Sequence, residues 1–154
     1  ITGLVLGAFG IGGLLYAASV RALLRRFGVR RMCLLGSSVA AACYAALAFV
    51  PTWWLAAAAM FVSGISFYML HNSMQTEATE LAPSARGSAV ALFACGFFVG
   101  QGLGPPIFAA LLHGLGPRPA LFAVAIVIVV LGRTVVARVI DRRAVVAVPS
   151  RAPR

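Results

Sequence analysis

Few residues in this chain can do chemistry, and their spacing argues against most kinds. There are three acids (Glu77, Glu80 and Asp141), two histidines (His71 and His113) and three cysteines (Cys33, Cys43 and Cys95). A nucleophile needs a base within hydrogen-bond reach, and a metal needs several ligands that converge. No cluster of His, Cys and Asp offers either. The three thiols are odd in number, fit no metal spacing and lie inside apolar stretches, so they read as small packing residues. No catalytic residue, cofactor or metal is expected. What remains is a sparse polar set. Gln101 is the only strongly polar side chain deep in a long apolar run, and an amide there needs a reason. Phe97 and Phe93 precede it at successive helical turns. Aromatic faces with few polar groups suit amphipathic or cationic organic compounds; the same stripe is also what ordinary helix packing produces. Ser66 is a further cavity candidate. Histidine as a residue type ordinarily changes charge near neutral pH, so His71 suits a protonation switch, and it equally suits a polar cap at a helix end.

The elements that must hold these residues follow from composition. Of 154 residues, 62% are hydrophobic and 10% charged, against roughly 25% charged in soluble domains. That excludes an ordinary soluble domain, a disordered chain and a disulfide scaffold, and leaves an integral membrane protein. A bilayer core of about 30 Å takes about 20 apolar residues in a helix. Five such stretches are present, at about 1–20, 32–50, 53–70, 87–112 and 120–137. Trp53 and Trp54 stand where an interfacial aromatic belt would place them. Pro105 is expected to kink the fourth stretch. The bundle is expected over 1–143, with a basic tail over 144–154.

All thirteen basic residues are arginines, and the net charge is +10. They lie between the apolar stretches and form no single basic face, which argues against nucleic acid as a partner. Arg21, Arg25, Arg26, Arg30, Arg31, Arg86 and the six from Arg133 onward fall on one side of a five-span topology; Arg118 alone falls on the other. Positive charge marks the cytoplasmic side. The C-terminus is therefore expected in the cytoplasm and Ile1 outside. Ile1 follows no Met and no charged leader, so the expectation is a fragment lacking its N-terminal part. Glycines at 3, 7, 10 and 13 in the first stretch, and Gly96, Gly100 and Gly104 in the fourth, would let helices approach closely. Polar and glycine-rich content sits in stretches one, three and four, which are expected to line any pathway.

Three segments carry a family resemblance. Arg21-Ala-Leu-Leu-Arg25-Arg26-Phe27-Gly28-Val29-Arg30-Arg31 resembles the Gly-x-x-x-Asp-Arg-x-Gly-Arg-Arg loop of the major facilitator superfamily. Arg26, Gly28, Arg30 and Arg31 match, whereas Arg21 and Arg25 replace the Gly and Asp. Glu80-Leu81-Ala82-Pro83-Ser84-Ala85-Arg86-Gly87 resembles the loop before helix eleven. Gly100-Gln101-Gly102-Leu103-Gly104-Pro105-Pro106 resembles the Gly-x-x-x-Gly-Pro kink of antiporters. The run from Phe67 to Thr76 looks most like the drug and sugar efflux branch of proton antiporters.

The resemblance implies an all-α transmembrane bundle matching helices eight to twelve, the C-terminal half of a transporter. It implies secondary active transport by alternating access, with efflux of a small organic compound, a drug or sugar, coupled to protons. Its partners would be that substrate, protons, the lipid bilayer and the N-terminal half of the same chain, in a bacterial inner membrane. Gating is expected from Arg26, Gly28, Arg30, Arg31, Glu80 and Arg86, with Glu77 or Glu80 pairing with Arg26 or Arg30. Kinking and packing are expected from Gly100, Gly104 and Pro105. The alternative is a complete five-helix membrane scaffold or subunit with no transport activity of its own.

Overall fold

A computed structural model of the chain describes residues 1–141, and these are almost wholly helical. Helix α1 covers Thr2–Leu47, α2 Trp53–Leu81, α3 Arg86–Leu115 and α4 Pro117–Val135. A 3-10 turn at Pro83–Ala85 leads into α3, and a π-helical turn at Val136–Ile140 extends α4. Among the described residues four helices are long and apolar enough to cross a membrane, one fewer than the five stretches expected.

The difference lies in α1. Its 46 residues would reach about 69 Å if straight, over twice the bilayer core. It is not straight, because Gly28 has φ 70° and ψ 164°. That conformation strains any residue with a Cβ, which is why glycine stands there. The packing shows how far the chain turns. Gly12 abuts Phe61 and Ile65 of α2, while Gly36 abuts Ser66 and Leu70. Residues 12 and 36 would stand roughly 36 Å apart on a straight helix, yet their contacts span about 14 Å of α2. The arms 2–27 and 29–47 therefore fold back on each other, and both pack on α2.

Small residues make that packing possible. A Cβ on Gly12 would strike the Phe61 carbonyl, one on Gly64 the Phe9 backbone, and one on Gly13 the Tyr68 ring. Ser63, Ser66 and Ser73 are buried in α2. Ser66 and Ser73 turn their hydroxyls back to the Val62 and Met69 carbonyls at 2.9 and 2.7 Å. This satisfies the donors inside the helix that carries them. Without a hydrophobic drive between helices in lipid, such close approach is what holds them together. Of the four glycines expected to pack, Gly3, Gly7 and Gly10 face open space and only Gly13 makes contact; Gly12 joins it.

Helix α4 lies along the second arm of α1. Gly132 meets Ser37 and Cys33, and Phe122 meets Phe49 edge-on at 5.8 Å. At its far end Asp141 accepts a hydrogen bond from Arg30 at 2.8 Å. Helix α3 differs from the rest in having no buried residue. It continues through Pro105 and Pro106 to Leu115, and Gly96, Gly100 and Gly104 all face open space. It ends at Gly116, whose φ of 85° lets Pro117 start the next helix.

The polar segment from His71 to Arg86, which falls between the expected stretches 53–70 and 87–112, is mostly helix: α2 runs on to Leu81. The expected tail at 144–154 lies outside the described residues.

Candidate functional site

The loose seating of α3 leaves two neighbouring cavities. The larger, about 630 Å³, is lined by Phe9, Tyr44, Phe67, Tyr68, His71, Phe97 and Gln101, closed by Ala40, Leu70, Ile128 and Leu131. The second, about 400 Å³, takes in Met74, Leu92, Phe93 and Gly96 and shares Phe67, Leu70, His71, Phe97 and Leu131 with the first. Both volumes fall in the range of small-molecule sites.

The shared wall is aromatic. Phe67 and His71, one turn apart on α2, stack at 5.7 Å with 15° between ring planes. Phe97 of α3 closes on His71 at 4.7 Å and on Phe67 at 6.3 Å. Phe93, one turn before Phe97, lies 5.3 Å from His71. Tyr68 extends the cluster toward Phe9 and Tyr16 at 6.4 Å each. These rings meet because the aromatic spacing on α2 and α3 follows the helical turn, and the two helices run antiparallel with 93 opposite 71 and 97 opposite 67 and 71.

The polar side chains that line the larger cavity are Tyr44, Tyr68, His71 and Gln101. Among the described residues no acid and no arginine lines either cavity. Such a wall can stack on a flat or cationic ligand while a few polar groups fix its orientation.

Of the cavity residues expected from sequence, Gln101, Phe97 and Phe93 come together here, beside His71, the expected protonation switch or helix-end cap. Ser66 does not: it is 1% exposed and sits in the α1–α2 interface. Tyr44, from the second arm of α1, is a lining residue that sequence reasoning missed. That arm is alanine-rich and lacks a polar stripe, so one tyrosine in it gave no signal. Nor do stretches one, three and four line the space alone, since Ala40, Tyr44, Ile128 and Leu131 come from stretches two and five.

The expected ionic partners also differ. Arg30 pairs with Asp141, and Glu80 lies 3.7 Å from Arg86. Arg26 rests over the Phe27 ring at 5.7 Å. Glu77, expected in a loop, is on α2 and only 7% exposed. It borders a small space with Met74, Phe93, Val135 and Val139. The signal that could have found it is its spacing of seven residues from Leu70 and four from Ser73, on the buried face of the same helix.

Comparison with known families decides what kind of bundle this is. The family model described as Major Facilitator Superfamily matches residues 1–153. The chain belongs to the Major Facilitator Superfamily. This superfamily consists of membrane transporters rather than enzymes, and they bind small-molecule substrates within the bilayer. With its membrane-spanning helices, this member is an integral, multi-pass membrane protein. No curated protein and no solved structure matches the chain.

Proposed function

We propose that the chain forms the C-terminal half of a secondary active transporter that exports a small organic compound, a drug or sugar, in exchange for protons. Both arms of α1 would cross the bilayer, making five crossings with α2, α3 and α4. The arginine-rich ends would face the cytoplasm of a bacterial inner membrane. Alternating access would rock this bundle against an N-terminal half across the substrate site.

The observation that carries this reading is the Phe67–His71–Phe97 wall beside Gln101, in a cavity of ligand size within a transporter family member. Of the two substrate kinds, the wall favours the drug-like one, because stacked rings bind flat apolar or cationic groups better than polyols. His71 is the one titratable imidazole on that wall, and it would link substrate binding to proton movement.

Transport by the full-length protein in proteoliposomes tests this. Phe97→Ala and Gln101→Ala should each lower kcat/KM for a transported aromatic cation about tenfold, the scale of one lost stacking or polar contact. Ser66→Ala should leave it unchanged. His71→Gln should flatten the pH dependence of exchange over roughly pH 5–8. Equal effects of Ser66→Ala and Gln101→Ala would contradict the assignment.

A further inference from the structure

Arg21, Arg25, Arg26, Arg30 and Arg31 surround the Gly28 bend, and all five are exposed. Only Arg30 has an acid partner, Asp141 at 2.8 Å. Among the described residues no acid lies within ion-pairing reach of Arg21, Arg25, Arg26 or Arg31. Where the resemblance would put an aspartate, Arg25 adds a fourth unpaired charge.

The bend also sits at a definite depth. The uncharged run 32–50 has a helical length of about 28 Å, close to the bilayer core. At its far end Trp53 and Trp54 are 50% and 57% exposed, and Arg118 lies over Phe49 at 5.5 Å. Those residues mark one interface, since amphipathic rings settle at headgroup level. One core thickness away, the arginines fall at the depth of the opposite leaflet's phosphates. Arg21 and Arg25 lie one turn apart on the same helical face, about 6 Å along the axis. Two planar guanidinium forks at that separation can grip one phosphate from both sides. Unpaired like charges held this close repel one another until an anion enters.

We infer that the Gly28 bend is a binding site for anionic phospholipid, with a headgroup phosphate seated between Arg21, Arg25 and Arg26. Arg30 takes no part, being held by Asp141. This site lies apart from the aromatic cavity and does not depend on what is transported. Orientation during insertion needs only positive charge. A phosphate seat needs guanidinium geometry as well, and the two can be separated by experiment.

The test uses the full-length protein in detergent, titrated with phosphatidylglycerol or phosphatidylcholine and read by native mass spectrometry. Wild type should retain phosphatidylglycerol in preference to phosphatidylcholine, and 0.5 M salt should weaken the retention. The triple variant Arg21→Gln/Arg25→Gln/Arg26→Gln should bind phosphatidylglycerol about a hundredfold more weakly, near fivefold per arginine removed. Arg30→Gln should bind as wild type does. Should the triple variant fail to fold, Arg25→Lys/Arg26→Lys keeps the charge and removes the forks, and it should still lose several-fold. Equal retention of both lipids by wild type, or unchanged retention by the folded variants, would overturn the proposal. So would displacement of the lipid by millimolar inorganic phosphate, which would mark a soluble-anion site.

Discussion

Single residues divide this chain into positions that bear packing and positions that do not. Gly12, Gly36 and Gly64 touch backbone of a neighbouring helix, so nothing flexible can yield to an added methyl; at Gly36 it would sit 2.8 Å from the Ser66 carbonyl oxygen. Gly96, Gly100 and Gly104 have nothing within 4 Å. The two groups look alike in sequence, where each is a glycine at helical spacing in an apolar run. Only the fold tells them apart. Gly64→Ala should therefore cost about 1–3 kcal/mol of stability, the usual penalty of overpacking. Gly100→Ala should leave unfolding unchanged or slightly improve it, since alanine is the better helix former. Thermal unfolding of both variants in detergent checks this directly. Chemistry-bearing residues were more legible. Gln101, Phe97, Phe93 and His71 stand out as polar or aromatic departures within apolar helices, and they line two adjoining cavities that share Phe97 and His71. Ser66 was misleading because a hydroxyl that bonds to its own helix carries no information about which way it faces.

At the scale of elements, the membrane stretches were readable because length and hydropathy are set by bilayer thickness. Their ends were not. Helix α2 continues eleven residues beyond the apolar run, from His71 to Leu81, because polar residues with good helix propensity extend a helix as readily as apolar ones. This extension places Glu77 against the second arm of α1 and the end of α4. The first two stretches also share a single helix interrupted at Gly28, since five arginines in eleven residues are compatible with helix up to a glycine that turns it. The end of α4 is fixed to that bend by the Arg30–Asp141 pair, whose partners are 56% and 45% exposed. Exposed pairs add little to global stability; this one acts locally. Asp141→Asn should leave the unfolding temperature as it is, and should speed amide exchange over 136–141 as the last turn frays.

Across the whole molecule, the tightly packed part is α1, α2 and α4, with α3 seated on it at arm's length. Cys33, Leu70 and Val136 form the buried cluster that joins the three packed helices. Helix α3 has no buried residue, and in the proposed transporter it would form a wall of the pathway between two rocking bundles. The topology that this requires can be read by labelling. Arg25→Cys and Ser84→Cys should react with an impermeant thiol reagent from one side of the membrane, and Arg118→Cys from the other. Reaction of all three from one side would contradict five crossings.

In the proposed transporter, α3 would face water and substrate along its Gln101 side rather than lipid. Thiol accessibility in the full-length protein tests it most directly. In a Cys95→Ala background, which removes the exposed native thiol, Gln101→Cys should react readily with a charged thiosulfonate, and a transported compound should protect it. Val127→Cys, 64% exposed on the aliphatic face of α4, should stay inert as a lipid-facing control. A Gln101→Cys thiol as unreactive as that at Val127→Cys would place Gln101 in lipid and contradict a transport cavity at this wall.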